Sequence, residues 1–534
     1  MPDFNLVSEK WIPCILSDGH SEDFNLLDTL TKAHQIKEIF DSSPLITASL
    51  HRFLLAILHR NFGPPNMGEW REIWKRKRFD ETKLKDYLAK NKSGFNLFDT
   101  KRPFYQTLEL PKTEKHPILH LALEIASGNN ATLFDHNFDE YPDAISPATA
   151  TRYVIAIQSY AIGFGRSNPF YFADSPLIRG LMVLAIGNNL FETLMLNFIE
   201  YNERLPFPHS GEDLPIWEQN NPAVPDSNGT SIKGYLDYLT WQSRSIHLFP
   251  EGDPTVVRQC QIQQNLKLPR QQYFDPFKCF SKNKEKGYVA LPLRPDKALW
   301  RNSIALFQIT DDSFKRPDII NWLARIENGR QEGRIQAQQA YSLEVIGLAT
   351  DIGKAASVLL WRHERLPLPL QFLVNDKLVA KLKEALGLSE DIARNALNSA
   401  IWNLAKLIIA PEADNLNDNQ KKEINNFCDS LASEKSYWAQ LGIAFPKFLM
   451  ALANDVKEVD NEVIYGHNSL PGSAIEVRSA AWQAFREATN SLNYSTRIFK
   501  AVTIAENNFS LRMNSILKDF LMPYQNVKMK GEKA

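Results

Sequence analysis

The chain has few cysteines, no long hydrophobic run and almost no net charge, and each of these absences excludes a class of protein. Its four cysteines, Cys14, Cys260, Cys279 and Cys428, form no CxxC pair, which argues against a disulfide framework and a structural zinc site. No stretch reaches the roughly 18 apolar residues of a membrane span. The first residues form neither a basic nor an apolar signal region. We therefore expect a cytoplasmic protein with reduced thiols and no membrane contact.

Charge is balanced over the whole chain but not along it. The 534 residues include 61 basic and 62 acidic side chains, a formal net charge of -1, so any nucleic-acid site must be a local patch. Between Arg258 and Arg301 there are ten basic residues and three acidic ones. The centre of this region is FKCFSKNKEKG, residues 277–287, which holds four lysines. The opposite sign prevails from Glu412 to Glu462, with ten acids and five lysines.

The sequence also lacks the common catalytic motifs: HExxH, GxSxG, the Walker phosphate loop, and GxGxxG between a strand and a helix. His116 and His120 have the spacing of metal ligands on a helix, but Pro117 lies between them and no third ligand is near. The run FDHNFDE, residues 134–140, could form a hydrolytic metal site or an exposed polar loop, and the partners that a nuclease needs cannot be assigned. We therefore predict no enzyme, no metal site and no cofactor.

Residue patterning predicts an α+β protein of two domains. The segment SSPLITASLHRFLLAILHRNFG, residues 42–63, has the serine cap, early proline and terminal glycine of a helix. From about residue 95 to 370 the pattern indicates short strands and helices with long loops, and such loops are often functional. Four amphipathic helical segments follow from Asn375 onward. We expect a large mixed N-terminal domain, residues 1–370, and an all-α C-terminal four-helix bundle, residues 371–534.

Five segments occur in an order that resembles one protein family. They are FNLVSEKWIP (residues 4–13), FDTKRPFYQT (98–107), YLTWQSRSI (238–246), FDPFKCFSKNKEKGYVALPLRPDKALWRNSIALF (274–307) and WRHERLPLP (361–369). Together they look like the large subunit of the Type I-E CRISPR surveillance complex, the CasA family of Cascade. The resemblance extends over the whole chain, including its helical C-terminal third.

The resemblance implies a non-catalytic protein that acts within an RNA-guided complex. Its partners would be the crRNA-containing Cascade subunits (backbone, guide 5′-end-binding and small subunits), double-stranded target DNA and a CRISPR helicase-nuclease. It would recognise the protospacer-adjacent motif from the minor groove, promote duplex opening and R-loop formation, and help recruit the helicase-nuclease. The guide would read most of the target sequence, as in other RNA-guided effectors.

Three irregular segments are candidates for motif recognition, because minor-groove readout needs few donors, small residues for close approach, and cations for phosphates. In FSKNKEKG the resemblance assigns the contacting lysine to Lys282, with Lys284 as the neighbouring candidate. The segment AIGFGRSNPF matches the family's glycine-rich loop, and its candidates are Gly163, Gly165, Arg166, Ser167 and Asn168. The segment SGNNATLFDHNFDE matches a loop near the guide 5′ end and the motif, and its candidates are Phe134, His136 and Asn137.

A fourth segment is the candidate wedge that splits the first base pair. In the family it follows an RHE sequence, and here the matching residues are Leu368, Pro369, Leu370 and Gln371. Unstacking a base step costs a few kcal/mol, which inserted apolar side chains can offset.

Each assignment has a structural alternative. The lysine run would suit a solvated β-hairpin turn, the glycine pair a turn after a helix, the Phe134 loop an Ω-loop, and LPLPLQF a proline-rich interdomain connection. Two other functions also stay open. One is a purely structural scaffold subunit of a ribonucleoprotein, and the other is a DNA-cleaving enzyme that uses His136 or His363.

Overall fold

The structure is a computed structural model that divides into two compact units. The mixed unit comprises Met1–Pro295 and Asp312–Leu366, and the helical unit comprises Asp296–Asp311 and Pro367–Ala534. The residues that the structure describes are 2–64, 66–108, 110, 113–123, 143–162, 174–202, 207–208, 211–220, 224–269, 273–294, 297–308, 312–338, 340–350, 358–413, 415–459, 462–492 and 495–531.

Strands and helices alternate irregularly along the chain. In chain order the strands are β1 (Ile12–Leu16), β2 (Ser21–Phe24), β3 (Ile36–Ile39), β4 (His116–Pro117), β5 (Leu181–Ile186), β6 (Arg244–Glu251), β7 (Val256–Gln264), β8 (Phe280–Asn283), β9 (Gly287–Ala290), β10 (Phe314–Lys315), β11 (Ala340–Thr350), β12 (Val358–Pro369), β13 (Val456–Val459) and β14 (Glu462–Tyr465). The helices are α1 (Leu26–Thr31), α2 (Pro44–Phe62), α3 (Met67–Arg76), α4 (Glu81–Lys90), α5 (Pro147–Tyr160), α6 (Leu190–Leu196), α7 (Tyr235–Leu239), α8 (Ile304–Phe307), α9 (Asp318–Gln331), α10 (Asp376–Asp391), α11 (Ser399–Ile409), α12 (Asp418–Leu431), α13 (Ser433–Asn454), α14 (Ser469–Asn490) and α15 (Thr496–Gly531).

The mixed unit combines four small sheets with the buried helix α2. Its described strands form four sheets of three strands, in the orders β2-β1-β3, β4-β7-β6, β10-β8-β9 and β12-β11-β5. As the sequence predicts, Ser43 caps α2 by accepting a hydrogen bond from the backbone N–H of Ile46 at 3.3 Å, and Gly63 ends the helix. The side chains of α2 are buried from its first residue to His59, so this helix forms the centre of the unit's core.

The helical unit differs from the predicted all-α bundle of four helices. Helix α10 continues through a π-helical segment, Ile392–Asn398, into α11, and α12 to α15 follow. Strands β13 and β14 pair as an antiparallel hairpin between α13 and α14. The four predicted segments include no separate helix at α12, whose short apolar stripe consists of Ile424, Phe427, Cys428 and Leu431 and has one fully buried member, Ile424. The structure has the predicted mixed α+β class and a helical C-terminal region. The predicted all-α bundle of four helices is not confirmed, because the helical unit has more than four helices and contains a β-hairpin.

The helical unit also takes in a segment from the middle of the predicted N-terminal domain. Asp296–Asp311 belongs to it, and the chain returns to it at Pro367 rather than after residue 370. The ring centroid of Trp300 lies 4.8 Å from that of Phe445 in α13. The Arg301 guanidinium lies 3.6 Å from the ring centroid of Trp438 and 2.8 Å from the Glu390 carboxylate. These contacts join residues far apart in the sequence, so no local pattern indicates them.

None of the helices in the described ranges combines the length and the apolar character that crossing a bilayer requires.

Candidate nucleic-acid interface

The lysine run folds as a β-hairpin of β8 and β9. The two strands pair Phe280 with Ala290, Lys282 with Tyr288 and Asn283 with Gly287. The Asn283 side-chain oxygen accepts hydrogen bonds from two turn N–H groups, those of Glu285 at 2.9 Å and Lys286 at 3.1 Å. Gly287 has φ +70°, a left-handed backbone that glycine adopts without strain. The local sequence therefore suffices to form the turn.

The hairpin tip, defined as residues 282–287, carries most of the charge. Lys282, Lys284 and Lys286 are all exposed, and so is Glu285. Lys282 forms an ion pair with the Asp312 carboxylate, and this hydrogen-bonded contact raises the pKa of the Lys282 ammonium. Lys284 and Lys286 form no ion pair with any residue in the described ranges. The tip therefore presents two ammonium groups that are ready to meet phosphate oxygens.

Aromatic rings and a further lysine support the hairpin from one side. The Phe274 ring makes edge contacts with Phe280 and Tyr288, at centroid distances of 5.0 and 6.1 Å. The Lys315 ammonium lies 3.8 Å from the Phe274 ring centroid, within cation–π range. The Tyr288 hydroxyl donates a hydrogen bond to the Asp312 carbonyl oxygen at 2.8 Å. Interleaved aromatic and cationic side chains of this kind are typical of protein surfaces that bind nucleic acids.

The hairpin root, defined as residues 275–279, is locked into the core. Arg52 in α2 forms an ion pair with Asp275 at 3.0 Å, and both side chains are only 2% exposed. The same carboxylate accepts hydrogen bonds from the Tyr238 hydroxyl at 2.9 Å and from the Phe277 backbone N–H at 2.9 Å. Sequence reasoning missed Arg52, although one arginine within the apolar run of α2 signals a buried charge that needs a partner.

The first lysine of the run, Lys278, belongs to the root. It is 7% exposed, and its ammonium donates a hydrogen bond to the Pro176 carbonyl oxygen at 2.8 Å. Burial lowers the pKa of Lys278 from 10.5 to about 8, because the charged form loses its hydration. Lys278 therefore cannot contact DNA in this conformation, and the charge available for recognition is at the tip.

The glycine-rich-loop candidates Gly163, Gly165, Arg166, Ser167 and Asn168, and the loop candidates Phe134, His136 and Asn137, lie outside the described residues.

The described flanks of the glycine-rich segment are held by β6 on the upstream side and by the hairpin root on the downstream side. Upstream, the Arg244 guanidinium donates a hydrogen bond to the Ile162 carbonyl oxygen at 2.8 Å. Downstream, Pro176 is held by Lys278. Gly180 approaches the hairpin so closely that a Cβ there would lie 2.9 Å from the Ala290 Cβ. The chain on the C-terminal side of the glycine-rich segment thus packs on the base of the lysine hairpin.

The wedge candidates lie at the end of β12 and in the 3₁₀ turn Leu370–Leu373. Leu368 and Leu370 are fully buried, Pro369 is buried, and Gln371 is half-buried. Exposing a buried leucine costs about 1.5–3 kcal/mol. The three apolar residues would have to leave the core to enter a duplex, so their packing favours the alternative of a proline-rich connection.

The histidines that sequence reasoning considered have structural contacts. The rings of His116 and His120 stack with centroids 4.8 Å apart. The His363 Nε2 lies 2.5 Å from the carboxylate of Glu344. Within the described ranges, no group of three or more His, Cys, Asp or Glu side chains is arranged to hold a metal ion.

Comparisons with known proteins extend over nearly the whole chain. The family model described as CRISPR-associated protein Cse1 matches residues 5–484. A relative from Thermus thermophilus, CRISPR-associated protein CasA/Cse1, is 30% identical over 520 residues, which cover 95% of this chain and 96% of the relative. A crystal structure of Thermus thermophilus CasA has a TM-score of 0.80 at 26% identity and covers 96% of this chain and 100% of that one. A chain of a CRISPR RNA-guided surveillance complex shares the fold, with a TM-score of 0.72 at 21% identity and coverage of 95% and 100%.

Proposed function

The chain belongs to the CRISPR-associated protein Cse1 family, and from this premise we propose that it is the non-catalytic large subunit of a Type I-E Cascade complex. Its partners are then crRNA-containing subunits, double-stranded target DNA and a CRISPR helicase-nuclease. Two findings support the assembly part of the proposal. The 30%-identical relative is matched over almost its full length, and the fold recurs in a chain of an RNA-guided surveillance complex.

We propose that the hairpin tip recognises the motif that flanks the target, from the minor-groove side of the duplex. The observation that carries this proposal is the pairing of an exposed lysine tip with a root that is fixed by buried charge. A rigid support lowers the ordering cost of binding, since the turn is already formed before DNA arrives. The minor groove is narrow and its readout is degenerate, so a few lysine donors on a slim hairpin suit it.

Within the tip, Lys284 is the stronger candidate for the contact. The Lys282 ammonium forms an ion pair with the Asp312 carboxylate, so DNA phosphates would have to compete with that carboxylate. Lys284 has no such competitor within the described ranges. We propose that Lys284 and Lys286 provide the first phosphate contacts and that Lys282 exchanges Asp312 for DNA during motif recognition.

Duplex opening, R-loop formation and recruitment of the helicase-nuclease belong to the same proposal. Of the four wedge candidates, Gln371 is the one that is not fully packed. Its side-chain oxygen is buried without a hydrogen-bond partner within the described ranges. A group in this state gains a partner if the turn shifts toward a base pair, so we propose Gln371 as the wedge residue to test.

The test uses the assembled complex and gel shifts on duplex targets with intact or altered flanking motifs. The double variant Lys282→Glu with Lys284→Glu should bind both targets equally, because the motif contact is lost. Each phosphate contact removed should also lower the salt slope of binding by about 0.9. Lys90→Glu, which changes an exposed cation at the end of α4, is the matched control and should keep motif dependence.

A purely structural scaffold is the second candidate, and two observations favour it. Lys282 already has an acidic partner, and three wedge candidates are buried. Under this alternative, the double variant would bind with unchanged motif dependence while the complex still assembles. That result would reject the reader proposal and leave the assembly role in place.

A further inference from the structure

A cleft of about 810 Å³ lies in the mixed unit, on elements that contribute nothing to the lysine hairpin. Its walls come from the C-terminal half of α3, the turn that leads into α6, and the segment that follows α9. The volume falls within the roughly 300–1,000 Å³ that is typical of small-molecule sites. None of the assigned functions uses this cleft.

Basic side chains outnumber acidic ones in the lining of the cleft, although the whole chain has a net charge of -1. Arg71, Lys75, Lys77 and Arg334 line it, and Glu192 is the acidic residue among its lining side chains. Lys75 and Arg334 form ion pairs at the rim, with Glu72 at 2.9 Å and Glu332 at 3.1 Å. All four side chains of these pairs are more than half exposed. Exposed pairs of this kind are weak, so both cations can turn to an anionic ligand.

The acidic residue of the lining is engaged by its neighbours. The Glu192 carboxylate accepts hydrogen bonds from the Asn188 backbone N–H at 3.0 Å and from the Asn188 side-chain amide at 2.8 Å. It therefore supports the turn before α6, and the lining holds four cations and this one acid, while Glu72 and Glu332 pair with two of the cations at the rim.

Two hydrogen bonds that involve aromatic side chains hold the shape of the cleft. The indole N–H of Trp74 donates a hydrogen bond to the Gln336 carbonyl oxygen at 2.8 Å. The Tyr341 hydroxyl accepts one from the Gln338 backbone N–H at 2.9 Å. These bonds fasten the segment after α9 onto aromatic residues of α3 and β11. The cleft is therefore formed before any ligand binds.

Lys77 has an unusual backbone for its residue type. It ends α3 in the left-handed region, with φ 53° and ψ 19°, where glycine is the usual residue. A lysine there carries a backbone cost that glycine would remove. The Lys77 side chain adds a cation to the lining of the cleft. A lysine at this position therefore favours ligand binding, whereas a glycine would be the better residue for ending the helix.

We propose that this cleft binds a phosphate-bearing ligand of the nucleotide class, with its phosphates at Lys75, Lys77 and Arg334. The volume exceeds what a bare phosphate needs, and the lining residues Trp74, Phe191 and Ile335 suit a base or sugar. The same chemistry is offered by a free nucleotide and by a stretch of single-stranded nucleic acid. The proposal is independent of the motif-reading hairpin, because it rests on different residues.

The test measures binding of two probes to the purified full chain at low salt: ATP by calorimetry and a fluorescent oligothymidylate by anisotropy. A background that carries Lys282→Glu, Lys284→Glu and Lys286→Glu removes the tip from the oligonucleotide signal. Saturable binding of ATP would identify free nucleotides as the source, and binding of the oligonucleotide alone would identify a strand. Either result supports the proposal, and binding of neither probe overturns it.

Variants separate loss of a contact from loss of the fold. Lys77→Gly should weaken binding about tenfold, the effect of one charged hydrogen bond. It should also keep or raise the midpoint of thermal unfolding, because the left-handed backbone is relieved. Glu192→Gln should strengthen binding, and Lys90→Glu should leave it unchanged. Unaltered affinity in Lys77→Gly, or equal binding of a polyglutamate peptide, would refute a nucleotide site.

Discussion

The root and the tip of the lysine hairpin lie a few residues apart, yet the same residue type has opposite roles in them. Lys278 at the root is buried and bonded to the Pro176 carbonyl, whereas Lys284 at the tip is exposed. The root is held by contacts from α2 and α7, and the tip by hydrogen bonds within its own turn. The number of lysines in a segment therefore does not measure the capacity of that segment to bind DNA.

Dielectric environment explains the difference. At the root, desolvation makes each charge costly unless it is paired and hydrogen-bonded, so these groups specify the position of the hairpin. At the tip, water screens the charges, so they add little to stability and stay available to a ligand. Substitutions at the root should therefore change stability, and substitutions at the tip should change binding.

The largest effect is expected from breaking the root ion pair. Arg52→Met leaves the Asp275 carboxylate buried without its cation, and the free energy of unfolding should fall by about 3–5 kcal/mol. Urea denaturation measures this change. Arg76→Met, which alters an exposed arginine of α3, is the control and should shift stability by less than about 0.5 kcal/mol. Equal, small changes in both variants would contradict the assignment of the root as a structural anchor.

The next effect is a pH dependence that comes from Lys278. The folded state loses this proton near pH 8, whereas the unfolded chain keeps it up to about pH 10.5. The unfolded state therefore binds more protons in that window, and the free energy of unfolding should rise with pH. At about 1.4 kcal/mol per pKa unit, the gain from about pH 7.5 to about pH 9.5 is roughly 2 kcal/mol.

The control for this pH effect is Lys278→Met, measured at the same pH values. Burial raises the pKa of the Cys260 and Cys279 thiols to about 12, so these groups lower stability as the pH rises above 9. They act equally in both proteins. Subtracting the variant from the parent isolates Lys278, and a difference that does not grow with pH would show that its ammonium is solvated.

A smaller effect is expected at Gly287, where the backbone of the tip has a conformational requirement of its own. Gly287→Ala places a side chain at φ +70°, and the strain should cost about 1–2 kcal/mol although no atom lies within 4 Å of the added Cβ. Gly211→Ala also enters open space, but it has no left-handed backbone, so it should cost much less. Thermal unfolding compares the two. Equal costs would mean that the turn has no conformational requirement.

The smallest effect on stability is expected from the exposed charged side chains of the tip. Lys282→Ala removes the ion pair with Asp312, but both side chains are more than half exposed, and water already screens the pair. The midpoint of thermal unfolding should not change measurably. A clear decrease would show that the tip helps to hold the fold, and the separation between root and tip would then be lost.

Local features of the fold were predictable because they depend on neighbours in sequence. Helix α2 follows the predicted segment, with Ser43 and Gly63 at its ends. The resemblance to the CasA family, inferred from five ordered motifs, is confirmed by the family model and by the 30%-identical relative. The hairpin alternative for the lysine run is also observed, and it is compatible with the motif-reading proposal because a solvated turn is what DNA can reach.

Features that depend on distant partners were not predictable. Helix α12 has an apolar stripe of only four residues, and Ile424 is the one that its packing buries fully. The segment around Trp300 joins the helical unit through rings in α13. The wedge residues match a family position, but their burial is set by packing that no local pattern describes. The cleft of Lys75, Lys77 and Arg334 escaped notice because its cations come from two separate stretches of the chain.

The turn from Asn283 to Gly287, the limits of α2 and the family membership of the chain follow from sequence alone. Each can be inferred from a few residues that are consecutive or occur in a fixed order. Which lysines meet solvent depends on the folded chain, because burial requires partners far along the sequence. Arg52 and Asp275 are 223 positions apart, and their contact turns one end of a basic segment into an anchor. Desolvation then separates the anchoring charge from the charges that can bind.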